Sequence, residues 1–296
     1  PGTGGAGAGR PSYNGNMESV LNVDLHCHSQ VSDGMLPPAE LAARARRNGV
    51  DVLALTDHDE VGGLHEAAAA SRELGMRFVP GVEISVTWAG ETVHIVGLRV
   101  DPDDAVLVEG LRDTRSGRER RAREMAAQLA AVGIPDAFEG ALVHVGNPQL
   151  ISRTHFARFL VERGVCKDVG EVFQNYLVEG KPGYVPMRWA TLSDAVGWIR
   201  GAGGVAAIAH PGRYPYTPLQ FHALYDEFLQ LGGRGIEVVT GSHTPDQYRE
   251  YAEVATRYGF LASRGSDFHG PEESRVDLGC LPPLPAHLTP IWHDWF

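Results

Sequence analysis

Cysteine is scarce in this chain. Cys27, Cys166 and Cys280 are all there is in 296 residues. An odd count at such wide spacing supports neither a disulfide framework nor a CxxC site. Free thiols in a reducing cytoplasm are the expectation. Long apolar runs are also missing, and none approaches the ~18 residues of a membrane span. The opening stretch PGTGGAGAGRPSYNGN lacks the apolar core of a signal peptide. Residues 1–18 read as a flexible leader or an expression remnant. Positive charge is in deficit, with 26 Lys and Arg against 37 Asp and Glu, a net charge of -11. That argues against a broad face for nucleic acid, which needs clustered Lys and Arg. A short anionic ligand in a local basic pocket remains compatible, and so do bound cations, which the formal count omits. No internal repeat is present.

The chain does have apolar content, 43% of its residues. This is enough for one large core, or for one domain with a sizeable insertion. Short runs rich in Val, Ile and Leu alternate with helical patterns. VLNVDLH near 20–26 reads as a strand, and LPPAELAARARRNG as a helix opened by Pro and closed by Gly. VDVLALTDH is a second strand, LHEAAAASRELG a second helix, and RFVPGVEIS and TVHIVGLRV two more strands. The alternation predicts parallel strands joined by crossover helices. From about 102 to 190 the pattern is helical, with no strand until VAAIAH at 205–210. Helices near 217–231 and 245–258 then alternate with GIEVVT and FLASRGSDFH, for about seven strands in all.

Metal-ligand residue types gather at the predicted strand ends. In DLHCHSQVSDG, His26 and His28 are two residues apart, so on a strand they share a face while Cys27 turns to the other. Asp33 follows in the loop. VLALTDHD contributes His58, VPGVEIS Glu83, TVHIVGL His94, VAAIAHPGR His210, and RGSDFHG Asp267 and His269. In a parallel α/β barrel the strand C-termini meet at one face. Residues spread over most of the chain would then converge on one small volume. Buried carboxylates and imidazoles without partners cost several kcal/mol each, and divalent cations remove that cost. A mixed N/O set suits Zn²⁺, Mn²⁺ or Fe²⁺.

HCH, Asp33 with Gly34, TDHD, PGVE, AHPGR and GSDFHG, in this order, resemble the polymerase-and-histidinol-phosphatase (PHP) family over about residues 20–100 and 200–275. The resemblance implies an α/β fold. That fold is a distorted seven-stranded (β/α) barrel of 19–101 and 191–296, with 102–190 inserted as a mostly helical cap. It also implies two or three divalent metals. By carry-over, His26, His28, Glu83 and Asp267 hold one metal and Asp33, His58 and His269 a second. Glu83 bridges to a third with His94 and either His155 or His210. His65, His144, His222, His243, His287 and His293 have no motif around them and read as ordinary histidines.

ISRTHFARFLVERG followed by YLVEGKPGYVP is similar to the PHP phosphoesterases of nucleotides and RNA 5′ ends. The implied chemistry is hydrolysis of nucleotide phosphate esters, first of all removal of the 3′-phosphate of nucleoside 3′,5′-bisphosphates. A 5′-to-3′ exonuclease on short RNA or DNA is the alternative. A non-catalytic metal-stabilised interaction module is another, opposed by the complete ligand set. Expected partners are small nucleotides or short oligonucleotides, with no long duplex and no membrane. Arg153, Lys181 and Arg213 are the candidate phosphate contacts. His210, Arg213 and Asp267 are the candidate catalytic residues, with His210 or His94 giving a proton to the leaving sugar oxygen. Tyr184 and Trp189 are candidates for stacking on a base. RERRARE reads as a solvated helix face.

Overall fold

The computed structural model describes residues 21–296; the leader proposed for 1–18 lies outside them. Seven strands form one sheet in chain order: β1 (Val23–Asp24), β2 (Val52–Leu55), β3 (Arg77–Trp88), β4 (Glu91–Leu98), β5 (Val205–Ile208), β6 (Gly235–Thr240) and β7 (Leu261–Gly265). The two edges meet. Leu25 N donates to Arg264 O at 3.0 Å, Asp267 N to His26 O at 2.7 Å and His28 N to Phe268 O at 2.9 Å. These bonds nearly close the sheet into a barrel.

One expectation fails. The pairs β1–β2, β2–β3, β5–β6 and β6–β7 are parallel, but β3–β4 and β4–β5 are antiparallel. β3 and β4 form a hairpin whose two-residue turn, Ala89–Gly90, has φ of 47° and 88°. Positive φ at both positions gives the twist that suits a hairpin. No crossover helix fits in so short a link. β4 therefore runs backwards through the barrel wall, and His94 reaches the ligand face from the middle of its strand. β1 is also shorter than expected, so His26 and His28 follow it rather than sit on it.

Helices α1 (Pro38–Arg47), α2 (Leu64–Glu73), α8 (Leu192–Gly201), α9 (Pro218–Gln230) and α10 (Pro245–Tyr258) cover the outside of the sheet. Leu41, Leu64, Val196, Leu224 and Ala252 pack there against Leu53, Ile84, Ile95 and Ile236. Val23, Leu25, Val52, Ala54, Val96 and Ala207 fill the inside, with Ile291 from the C-terminal segment. Between β4 and β5 lie α3 (Ala105–Arg115), α4 (Arg118–Ala131), α5 (Ala137–Leu142), α6 (Arg153–Glu162) and α7 (Val169–Val172). Leu107 and Leu111 of α3 join the outer barrel core. α4 to α6 build a core of their own, including Met125, Leu129, Phe138 and Phe156.

Candidate metal centre

Glu83, fully buried on β3, is the hub of the ligand-type residues. Its Oε2 lies 3.3 Å from both His26 Nε2 and His28 Nε2, and 3.0 Å from His58 Nδ1. Its Oε1 lies 3.0 Å from His94 Nδ1 and 2.9 Å from His210 Nε2. Asp267 Oδ1 is 3.4 Å from His26 Nε2 and 3.1 Å from His28 Nε2. Asp33 Oδ1 is 3.4 Å from His269 Nε2 and 3.9 Å from His58 Nε2. Three groups have ligand atoms close enough for one ion each: His26, His28, Glu83 and Asp267; His28, Asp33, His58 and His269; and His58, Glu83 and His94.

The donor chemistry fits cations. His26 Nδ1 sits 2.7 Å from Glu237 Oε1, which leaves Nε2 as the ring atom facing His28 Nε2, 3.2 Å away. Burial, with His269 and His58 nearby, lowers the His28 pKa to about 3, so this ring stays neutral as a ligand must. Burial opposes charge on Glu83, yet His94, His26 and His58 hold its carboxyl well below the usual range. At His58 burial works against protonation, but Glu83 and Asp33 raise the pKa to about 9. The surroundings favour positive charge. His28 Nδ1, Asp33 Oδ1, His58 Nδ1, Glu83 Oε2 and His94 Nδ1 are buried without a hydrogen-bond partner. Their distances are short, but their directions make no hydrogen bond, as expected of atoms aimed at a common point rather than at each other.

The backbone is strained at the site. His210 has φ of 25° and Asp267 of 55°, and Asp59, next to His58, has 50°. Such conformations cost about 1–3 kcal/mol each and persist where the surroundings over-determine them. Glu237 Oε2 accepts from His210 N at 2.6 Å, and Tyr214 Oη donates to Ala209 O at 2.8 Å.

His155 does not join the cluster. It is buried at the start of α6, where its Nδ1 accepts from Ser152 N at 3.0 Å. Burial lowers its pKa to about 3. Lys181 is exposed and, like Tyr184, lines neither cleft over the cluster. Arg213 is half exposed, pairs with Asp267 and lines both clefts. The first cleft holds Arg118, Arg121, Arg153 and Trp189 beside His58 and His94. RERRARE is therefore not simply a solvated face. Arg118 is buried, pairs with Asp59 and lies 4.6 Å over the Trp189 ring. Burial, with Arg153 and Arg118 close by, lowers the Arg121 pKa to about 9. Three guanidiniums with one carboxylate pairing among them give this wall of the cleft an excess of positive charge.

The sequence reading missed Glu237, Asp57, Arg118, Arg121 and Arg158. Glu237 carries a signal, a single carboxylate inside the apolar strand GIEVVT. Asp57 accepts from Ser29 N at 2.8 Å and Ser32 Oγ at 2.5 Å, ordering the turn before Asp33. Arg158 donates to Asp33 O at 2.6 Å and forks onto Glu273 at 2.7 and 2.8 Å. Ser152 and Thr154 donate to Asp33 Oδ2 at 3.3 and 3.1 Å. The helical segment thus holds a ligand loop in place.

Comparison with known proteins agrees with this geometry. The sequence profile of the PHP domain matches residues 24–138. A 3′,5′-nucleoside bisphosphate phosphatase of Chromobacterium violaceum is 52% identical over 93% of this chain and 96% of its own length. The chain belongs to the PHP family. A 5′-3′ exoribonuclease of Haemophilus influenzae is 40% identical over 92% of this chain and 98% of its own. A solved Chromobacterium violaceum structure described as an amidohydrolase, with bound sulfate and no metal, superposes with a TM-score of 0.90 at 52% identity, covering 93% and 95% of the two chains. As a PHP-family member the chain is a metal-dependent phosphoric ester hydrolase with a nearly closed seven-stranded barrel. Among the described residues no helix is long and apolar enough to cross a membrane.

Proposed function

We propose that this enzyme removes the 3′-phosphate from nucleoside 3′,5′-bisphosphates. One observation carries the reading. The buried ligand cluster is flanked by a separate anion site of Arg118, Arg121 and Arg153, so the substrate has two phosphates to place. His26, His28, Glu83 and Asp267 are assigned to one divalent ion, Asp33, His58 and His269 to a second, and Glu83, His94 and His210 to a third, with Mn²⁺, Zn²⁺ or Fe²⁺ as occupants. Bound there, such ions supply acidified water and counter-charge for the phosphoryl oxygens. Arg213 holds a non-bridging oxygen of the reacting phosphate. Arg153, with Arg118 and Arg121, holds the 5′-phosphate, and Trp189 offers a face to the base. Lys181, away from both clefts, has no part in this assignment. His210 faces Glu83 at 2.9 Å and is assigned to a metal rather than to the leaving oxygen. Residues 102–190 act as a cap that limits the site to one or a few nucleotides.

The test compares adenosine 3′,5′-bisphosphate with adenosine 3′-monophosphate at fixed salt and Mn²⁺. One charge-assisted contact is worth about 1.5–3 kcal/mol, so kcat/KM should favour the bisphosphate by about ten- to a hundredfold. Arg153→Ala should erase most of that preference. Equal rates on the two substrates would contradict the reading.

A further inference from the structure

Arg213 is the assigned phosphate contact that comes from the barrel rather than from the cap. It ends a single 3₁₀ turn, Pro211–Arg213, just after β5. Its side chain is half exposed, so packing does little to hold it. Asp267 pairs with the guanidinium, but the backbone beneath decides where that pair can form.

The turn is tied down from the next strand and from the helix after it. His210 N donates to Glu237 Oε2 on β6. Gly212 N donates to His243 Nε2 at 3.1 Å, and Gly212 O accepts from Gln247 Nε2 at 3.3 Å. Both polar backbone groups of Gly212 are thus held by side chains 31 and 35 residues away. His243 is buried, and its ring stacks on Tyr251 of α10 with centroids 4.7 Å apart. Its Nδ1 lies 3.1 Å from Val238 O. A carbonyl only accepts, so Nδ1 carries the proton and Nε2 keeps the lone pair that Gly212 N needs. Burial lowers the His243 pKa to about 4, which keeps the ring neutral near pH 7. Gln247 is oriented as well. Its Oε1 accepts from Thr244 N at 2.9 Å in the capping box that opens α10, which turns its Nε2 toward the turn. Gly212 leaves no room for a side chain: a Cβ there would lie 2.5 Å from Gln247 Nε2 and 2.9 Å from His243 Cδ2.

We propose that His243 and Gln247 are positioning residues, clamping Gly212 so that Arg213 meets the reacting phosphate. The inference rests on the assignment of Arg213 to that phosphate and deepens it. Neither side chain lines a cleft over the cluster, so both act through the turn and not on the substrate. His210 has anchors of its own, Glu237 at its N and Glu83 at its ring. Loosening Gly212 therefore moves Arg213 and leaves the ligand cluster in place. A misplacement of about 1 Å in a catalytic contact costs on the order of a hundredfold in rate.

The experiment measures kcat, KM and bound metal of the full chain with Mn²⁺ on adenosine 3′,5′-bisphosphate. The variants are His243→Leu, Gln247→Glu and Arg213→Ala, with each of the first two also combined with the third. His243→Leu should lower kcat/KM tenfold or more, mainly through kcat, at unchanged metal content. Gln247→Glu keeps the acceptor that caps α10 but sets a carboxylate against Gly212 O. It should show the same loss in a chain as stable as wild type, so it decides the matter even if His243→Leu fails to fold. In the Arg213→Ala background each substitution should cost less than threefold, because the contact it positions is already gone. Single variants as active as wild type, losses that multiply in full with Arg213→Ala, or a Gln247→Glu chain that sheds metal overturn the positioning role. Wild-type kinetics in Arg213→Ala itself overturn the underlying assignment instead.

Discussion

Glu237 shows how one side chain sets two histidines of the cluster. Its carboxylate accepts from His26 Nδ1 and from the backbone N of His210, a residue in a conformation that few side chains tolerate. Partners of this kind fix tautomer and ring orientation, and their loss costs roughly 10–100-fold in metal affinity. Glu237→Gln keeps the shape and should weaken binding of the ion at His26 by that factor in a Mn²⁺ titration. Unchanged affinity would mean that the carboxylate only fills space. His155 makes a contrasting case. Its folded pKa of about 3 lies below the ordinary 6.5. Below pH 6.5 the unfolded chain takes a proton that the folded chain refuses, so stability is lost as pH falls from about 6.5 toward 3. The loss is up to ~1.4 kcal/mol per pH unit. His155→Asn keeps an acceptor for Ser152 N and should flatten this slope in chelated protein without changing metal content. Loss of a bound ion would instead make His155 a ligand. The clustering of these His, Asp and Glu residues was legible because each stands in a short motif near a strand. The residues that orient them were not, since Glu237 and Arg158 act across 211 and 125 positions of sequence.

Most elements could be read from periodicity and from the Pro and Gly that bound them. The β3–β4 hairpin was misread because both strands are apolar and β-branched, and apolar content carries no strand direction. Direction was legible in another property, the length of the link. The stretch between GVEIS and TVHIV is too short for a crossover helix. The reversal has a packing consequence. Gly97 on β4 lies under Ile199 of α8, and a Cβ there would be 2.7 Å from Ile199 Cγ1. Gly97→Val should therefore overpack the sheet–helix layer and cost about 1–3 kcal/mol. Urea denaturation measures it, and a variant as stable as wild type would show that α8 moves away freely.

At the scale of the whole molecule, negative charge and metal ions belong together. A chain of net charge -11 buries Asp33, Glu83 and Asp267 in one volume. Ions that bind only the folded state stabilise it by about 2.7 kcal/mol at a hundredfold excess over Kd. At roughly 2–4 °C per kcal/mol, Mn²⁺ should raise the melting temperature by about 5–10 °C and a chelator should reverse the gain. A melting curve indifferent to both would contradict the assigned sites. The barrel seam has a further consequence. His28 and Asp267 stand 239 residues apart in sequence and face each other across the junction of the first and last strands. During synthesis the early histidines emerge long before their carboxylate partner, so a ribosome-bound chain has nothing with which to finish the centre. A chain that stops short of the final strand lacks both Asp267 and His269, so two of the three candidate ion groups stay incomplete until the last part of the barrel is made.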